Sequence, residues 1–162
     1  AMVNDVLRSG SVAEQALRQE KRLRIDKLIA EVIDDYMLLA KTRGMTFEVN
    51  TEPVTISANR DMMRHVISNL ASNAVRHGDT GSVITITCDQ HELAIENACR
   101  PLTRKQLQHV FDPFYRNNAT TKQYADSSGI GLYTVKMLLD AKGLDYDFTP
   151  HGRGMRFVVR FE

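Results

Sequence analysis

The sequence predicts an α+β fold: a two-layer α/β sandwich in which one mixed, mostly antiparallel sheet carries helices on a single face. Segments with helical and strand periodicity interleave along the chain, without the strict strand–helix–strand alternation of a parallel sheet. The strands come mainly in adjacent pairs, which favours antiparallel pairing. With 162 residues, 43% of them hydrophobic and 25% charged, the chain is long enough for one domain with a core and too short for two large ones.

The N-terminal part of the chain is typical of a helix end followed by a linker. Helical character over residues 1–9 is interrupted by Gly10 and Ser11, and residues 14–24 are rich in charge. We therefore expect the domain proper to begin near Leu23.

The first half of the domain predicts two helices around a pair of strands. In chain order the segments are a helix from Leu23 to Gly44, strands over residues 45–50 and 54–57, and a helix that ends near Gly78. The helices follow from apolar residues at helical spacing, and the strands from short β-type runs. Asn59 and Asp61 are the alternative N-caps of the second helix.

The second half predicts two strand pairs separated by helices and a polar loop. The segments are strands over residues 83–88 and 92–96, a short helix over 103–110, a polar mobile loop over 117–128, a helix over 130–141, and strands over 146–149 and 155–161. Gly143 closes the last helix, and residues 152–154 form the final turn.

Composition excludes several classes of protein. Twenty-one Lys and Arg against 20 Asp and Glu leave a net charge of +1, which gives no field to recruit nucleic acid. Cys88 and Cys99 are not spaced as a metal knuckle or a redox pair, so we expect reduced thiols in a cytosolic setting. No apolar run approaches the roughly 18 residues of a membrane span, and the chain is expected to be soluble.

The stretch NLASNAVRHG, residues 69–78, combines amides and cations on one helix. Asn69 and Asn73 are four residues apart and share a face, with Arg76 and His77 about one turn further on. An amide oxygen suits Mg²⁺, which prefers oxygen ligands and keeps waters and substrate phosphates. Asn73 is thus a candidate metal ligand, Arg76 a cation for phosphate oxygens and His77 a further donor. Such amides are also compatible with solvated side chains or local hydrogen bonds.

Two further motifs follow in order. FDPFYR occupies residues 111–116, and SSGIGLYTVKMLL occupies residues 127–139. Gly129 and Gly131 precede a predicted helix, so backbone N–H groups can approach a phosphate there and the helix N-terminus adds its positive end. A lone pair of such glycines is usually a structural turn. After an asparagine helix and an aromatic box, it indicates a phosphate site.

These motifs resemble the ATP-binding catalytic domain of bacterial sensor histidine kinases, in the GHKL ATPase superfamily, from about Leu23 to the C-terminus. NLASNAVRHG looks like the N box, FDPFYR like the F box, SSGIGLYTVK like the second glycine box, and GRGMRFVVRF like the closing glycine turn and strand. The resemblance implies the Bergerat (GHKL) fold. Residues 1–22 would then be the truncated end of a dimerisation helix and its linker, and residues 23–162 the ATP-binding catalytic domain.

The resemblance also implies roles for individual residues. Asn73 matches the Mg²⁺ ligand and Asn69 its neighbour, while Arg76 matches the cation near the phosphates and His77 the residue beside them. The implied ATP-binding set continues through the F box, the lid and the second glycine box: Phe111, Phe114 and Tyr115 as lid anchors, Arg116 at the lid start, Lys122 near the γ-phosphate, and Gly129, Ile130, Gly131 and Leu132 along the triphosphate.

The base-binding segment departs from the family. Before the F box the family has an Asp that reads the adenine amino group, followed by two spaced glycines. Here IENACRPL, residues 95–102, places Asn97 at the Asp position and Cys99 and Pro101 at the glycines. Asn97 can accept a hydrogen bond from adenine without the charge assistance of a carboxylate. We expect an altered, weaker pocket. Ser127 likewise replaces the first glycine of the second box.

The implied function is that of a protein-histidine kinase, of which this chain holds only the ATP-binding part. Its cofactors are ATP and Mg²⁺, and its partners are a dimerisation domain with the phosphoacceptor histidine, outside this chain, and a response regulator. Of the five histidines only His91, followed by Glu92, imitates a phosphoacceptor, and it is interpreted as a turn residue. The isolated domain is expected to be monomeric, inactive in autophosphorylation by itself, and the cytoplasmic domain of a membrane-anchored sensor.

Two other functions fit part of this pattern. ATP-hydrolysing members of the superfamily place a Glu one turn before the Mg²⁺ ligand as a general base, and the neutral amide of Asn69 stands there instead. Hydrolysis as the main activity is therefore disfavoured. The remaining alternative is a degenerate nucleotide-binding domain that serves as a regulatory scaffold or phosphatase-supporting module. Magnesium-dependent ATP binding distinguishes it from a kinase domain.

Overall fold

A computed structural model of the chain describes residues 18–113 and 131–161. In chain order its elements are β1 (Lys21–Arg24), α1 (Ile25–Thr42), β2 (Thr46–Thr51), β3 (Thr55–Ala58), α2 (Arg60–His77), β4 (Val83–Cys88), β5 (Glu92–Ala98), α3 (Arg104–His109), α4 (Gly131–Lys142), β6 (Asp145–His151) and β7 (Gly154–Arg160). The predictions for residues 1–9 and for the loop over 117–128 lie outside the described residues.

The main sheet has five strands in the order β2-β4-β5-β7-β6. The pair β2–β4 is parallel and the other three pairs are antiparallel. Helix α2 packs between α1 and α4. Helix α1 contacts β2, α2 contacts β5, and α4 contacts β6. The predicted mixed sheet with helices on one face is confirmed.

The two faces of the sheet differ in chemistry because side chains alternate along each strand. The helix-facing side carries the main-sheet residues of the core: Ile84, Ile86, Cys88, Leu93, Ile95, Phe157 and Val159. The opposite side carries charge pairs, among them Arg160 with Asp147 at 2.7 Å and Arg156 with Glu92 at 3.3 Å. One layer of helices therefore suffices to bury the apolar side.

The N-terminal boundary of the first helix was predicted wrongly. Residues 21–24 form β1, which pairs antiparallel with β3 in a separate two-stranded sheet, so the predicted strand at 54–57 does not join the main sheet. The Asp26 carboxylate of α1 links the end of β1 to the segment before β3. It accepts hydrogen bonds from Arg24 Nε at 2.9 Å and from the Val54 backbone N–H at 3.0 Å. This pairing is between distant segments, so local periodicity could not show it.

The other elements lie close to their predicted bounds. Asn59, rather than Asp61, caps α2, because its Oδ1 accepts from the Met62 N–H at 3.0 Å. Strand β5 runs to Ala98, two residues beyond its predicted end, and so includes Asn97. No helix within the described ranges is both long and apolar enough to cross a bilayer.

Candidate functional site

Helix α2 presents the two amides of the asparagine motif beside its buried face. Leu70 and Ala74 are buried in the core, whereas Asn69 and Asn73 next to them are half-buried. Neither amide side chain has a hydrogen-bond partner among the described residues. The alternative that these amides bond locally therefore has no support within the described part of the chain, and both remain able to bind a ligand.

The Arg76 guanidinium is held in place by its own helix. Its Nε donates to Ser72 Oγ at 3.0 Å, one turn earlier, and the side chain is partly buried. This contact restricts the rotamers of a long cation before any ligand arrives, which lowers the entropy lost on binding an anion. Ser72 was not predicted, although its spacing of four residues from Arg76 is a helical pattern visible in the sequence.

The surroundings of His77 disfavour its charged form. Burial lowers its pKa from 6.5, and the nearby charges of Arg76 and Arg43 lower it further. Arg43 follows α1 and caps the end of α2, where its Nη1 donates to the Val75 carbonyl. Arg43 was also missed, because its contact with α2 joins residues 32 positions apart and leaves no local pattern.

The second glycine box meets the asparagine motif. Gly131 is the first residue of α4, and a Cβ built on it would lie 3.8 Å from Asn69 Oδ1, an ordinary van der Waals distance. Gly131 does not have a positive φ. Within the described part of the chain, the atoms nearest to such a Cβ belong to Asn69, so α4 begins beside the asparagine motif. The next residue, Leu132, is half-buried against the core.

Asn97 lies in β5 with only 8% of its surface exposed. It pairs in register with Met155 of β7, and its neighbour Ala98 accepts a hydrogen bond from the Asp79 N–H at 2.7 Å, just beyond α2. A Cβ on Gly154 would lie 1.9 Å from the Asn97 carbonyl oxygen, so only glycine fits there. The amide is thus buried on a strand whose end is joined to the end of α2.

Phe111 belongs to an aromatic cluster on the helix side of the sheet. Its ring meets Tyr146 and Phe157 edge-on, with centroids 5.7 and 6.2 Å apart. These contacts attach the start of the F box to β6 and β7. The other predicted site residues of this part of the chain lie outside the described residues: Phe114, Tyr115, Arg116, Lys122, Gly129 and Ile130.

The arrangement suits a magnesium-bound polyphosphate. We call Asn69, Asn73, Arg76 and Gly131 the α2–α4 site. In the described part of the chain no three His, Cys, Asp or Glu side chains converge as a metal cluster, so a cation at this site would take oxygens from an amide, water and a ligand. Mg²⁺ accepts that ligand set. The Arg76 charge and the helix start at Gly131 both favour anionic oxygens.

Comparison with known proteins gives a consistent family. Residues 58–162 match the family described as "Histidine kinase-, DNA gyrase B-, and HSP90-like ATPase". The chain is 31% identical over 159 residues to the sensor histidine protein kinase HK06 of Streptococcus pneumoniae, a match that covers 98% of this chain and 35% of that protein. It is 31% identical over 163 residues to the sensor histidine kinase CusS of Escherichia coli, covering 98% and 34%.

Solved structures with this architecture include two histidine kinases. The nucleotide-free catalytic domain of ThkA superposes with a TM-score of 0.76 at 20% identity, over 88% of this chain and 94% of that one. Full-length ShkA in complex with AMPPNP superposes with a TM-score of 0.78 at 21% identity, over 98% and 34%. At these identities the likeness concerns the fold. The chain spans about a third of the length of the two curated relatives.

Proposed function

Since the chain belongs to the family of histidine kinase-, DNA gyrase B- and HSP90-like ATPases, we propose that its α2–α4 site binds Mg-ATP and presents the γ-phosphoryl group to a histidine of a dimerisation domain. The observation that carries this proposal is the contact of Gly131 with Asn69, which brings the glycine box onto the asparagine helix. The two residues are 62 positions apart in sequence. Their contact would let an amide of α2 hold the metal while the backbone at the start of α4 binds the triphosphate.

The proposed mechanism is positioning and charge neutralisation. Asn73 would hold Mg²⁺ through its amide oxygen, and the bound ion would neutralise charge on the phosphates. Arg76, held by Ser72 Oγ at 3.0 Å, would bind phosphate oxygens, and the backbone at Gly131 would donate to others. Asn69 has a neutral amide that cannot accept a proton, so the site has no base there to activate water.

The groups that would accept the phosphoryl group are proposed to belong to other domains and proteins. We propose that the catalytic domain extends from β1 (Lys21–Arg24) to β7 (Gly154–Arg160) and that a dimerisation domain works with it. The acceptor histidine and its neighbouring base would come from that dimerisation domain, and a response regulator would receive the phosphoryl group. The setting is proposed to be cytoplasmic, as part of a membrane-anchored sensor. The isolated domain should bind ATP and turn it over hardly at all.

Asn97 is proposed to bind the adenine. The residue is 8% exposed, and its neighbour Ala98 is joined to the end of α2, where a base attached to a triphosphate in the α2–α4 site would extend. An amide oxygen accepts a hydrogen bond from the exocyclic amino group of adenine.

A calorimetric titration with ATP, in Mg²⁺ and in EDTA, tests the proposal. We expect micromolar to millimolar affinity that is lost when EDTA removes the metal. A chain that binds no ATP under either condition would instead be the regulatory scaffold. A chain that binds equally in both would have a nucleotide site in which Asn73 holds no metal.

A further inference from the structure

A short segment before β1 contacts the ends of two helices. We call Arg18, Gln19 and Glu20 the bridging segment. The Arg18 carbonyl accepts a hydrogen bond from Asn59 Nδ2 at 3.0 Å, and the Glu20 carboxylate accepts one from Lys142 Nζ. Asn59 is the N-cap of α2, and Lys142 is the last residue of α4. Three consecutive residues therefore link the start of α2 to the end of α4.

The ion pair of the bridging segment is partly shielded from solvent. The Lys142 and Glu20 side chains are 17% and 29% exposed. By comparison, the side chains of the Lys136–Asp140 pair on the same helix are 47% and 51% exposed. Water and salt weaken an exposed ion pair more than a partly buried one. The contact between Glu20 and Lys142 is thus better able to hold two elements together than an ordinary surface pair.

The backbone of the bridging segment is held in an unusual conformation. Gln19 has a φ of 53°, and it is the only non-glycine residue with a positive φ in the described part of the chain. A side chain disfavours this left-handed region, so the conformation persists only where neighbouring contacts hold it. On one side is the hydrogen bond of Arg18. On the other are the Glu20 ion pair and Lys21, which pairs with Ala58 directly before the α2 cap.

The bridging segment and the α2–α4 site lie at opposite ends of α4. Gly131 begins α4 beside Asn69, in the middle of α2, whereas Lys142 ends α4 near Asn59, where α2 begins. The two helices pack against each other. Helix α4 has 12 residues and spans about 16 Å. Because a helix of this length moves as a unit, the placement of its last turn affects the placement of its first residue.

We propose that Glu20 and Lys142 are positioning residues, which hold α4 against α2 so that the α2–α4 site has its binding geometry before the nucleotide arrives. This inference rests on the proposed function. A site built from two helices binds more weakly when the helices must first rearrange, because the free energy of rearrangement is lost from binding. Lys142 is at the far end of α4 from Gly131, so it acts through the helix and not through contact with the nucleotide.

The ATP affinity of charge variants tests this role. Lys142→Met removes the charge and keeps an unbranched side chain, and we expect Mg-ATP affinity to fall by about fivefold or more. Glu20→Lys should weaken binding at least as much, since it places two positive charges together. Combining Glu20→Lys with Lys142→Glu restores an ion pair of reversed polarity and should recover most of the affinity. General destabilisation by two substitutions would not give such a recovery.

Lys136→Met is the matched control, because it makes the same substitution in the exposed ion pair of the same helix. It should leave ATP affinity unchanged. If the Lys142 and Lys136 variants both bind ATP like the wild-type protein, the positioning role is wrong while ATP binding stands. If the wild-type protein binds no ATP, the proposed function and this inference fall together.

Hydrogen exchange measures the same coupling from the other end. Since coupling between two sites is reciprocal, bound Mg-ATP should slow amide exchange in residues 18–24, and Lys142→Met should remove most of this protection. Strand β2, which packs on α1 at the edge of the main sheet, serves as the reference peptide. If bound nucleotide leaves exchange in residues 18–24 unchanged, the bridging segment does not position the site and the inference is wrong.

Discussion

Gly131 at the start of α4 lies against Asn69 of α2, so that a single added methyl group would come within 3.8 Å of the Asn69 side-chain oxygen. Glycine lets another group approach the backbone closely, which is what we propose for a phosphate at this position. The same contact places α4 next to the asparagine motif, as the proposed phosphate and metal sites require.

Asn73→Ala removes the proposed metal ligand and should abolish measurable Mg-ATP binding in calorimetry. The side chain is half-buried and has no partner in the described part of the chain, so the fold should be little affected. Asn50→Ala provides the matched control, since Asn50 is an exposed asparagine on β2. Unchanged affinity in the Asn73 variant would remove the metal assignment.

Gly131→Ala distinguishes an effect on ATP binding from an effect on the stability of the fold. Because the new methyl group finds ordinary contact distance, and because alanine favours a helix by up to about 1 kcal/mol over glycine, the melting temperature should stay equal or rise slightly. ATP affinity should nevertheless fall, as the methyl group occupies the approach to the backbone. A variant that melts at the wild-type temperature and binds ATP equally well would show that no phosphate approaches Gly131.

Asn97→Asp should tighten ATP binding. A carboxylate accepts the adenine amino group with charge assistance, which roughly doubles the strength of such a hydrogen bond and corresponds to a gain of up to about tenfold in affinity. Asn50→Asp adds the same charge on the exposed face and should have no effect. A neutral result at position 97, with the fold intact by circular dichroism, would mean that this side chain does not face the base.

Asp26→Ala should destabilise the attachment of β1. The Asp26 side chain is 15% exposed and holds both Arg24 and the Val54 N–H, so its loss leaves a buried donor unsatisfied at about 1–3 kcal/mol. Urea unfolding measures the difference. Asp34→Ala, an exposed position on the same helix, should cost far less. Equal losses in the free energy of unfolding for the two variants would show that Asp26 has no structural role.

His77 should make stability depend on pH. Its pKa is lowered from 6.5 in the folded protein, chiefly by burial, so below that pH the unfolded chain binds the proton more readily. Stability is therefore fully present above the unfolded pKa and falls as the pH decreases toward the folded one. Melting temperatures measured between about pH 7.5 and 5.5 should fall more for the wild-type protein than for His77→Gln. Parallel curves would contradict this assignment.

Residue spacing in the sequence predicted the features that depend on neighbouring residues, such as the buried and polar sides of a helix. The spacing of Leu70 and Ala74 identified the buried side of α2, and the spacing of Asn69 and Asn73 identified its neighbouring polar side, because both follow the helical repeat. The pairing of β1 with β3 could not be predicted in this way. The sequence KRLR is charged, and its strand conformation depends on a partner more than 30 residues away.

In the candidate site, too, local motifs could be predicted and contacts between distant residues could not. The proposed base-binding role of Asn97 follows from its place in a motif, but its burial in β5 became visible only in the fold. Arg43 was not predicted, because it follows α1 and contacts Val75 of α2, 32 positions away in sequence. Sequence patterns thus indicated which groups could bind a ligand, while the structure showed which groups hold them in position.

A crystal structure grown with a non-hydrolysable ATP analogue and Mg²⁺ tests the central claim most directly. The account predicts a metal ion on the Asn73 amide oxygen, with the phosphates between Arg76 and the backbone at Gly131. Nucleotide and metal absent from these residues at saturating concentration, or a cleft closed by residues 100–102, would contradict it.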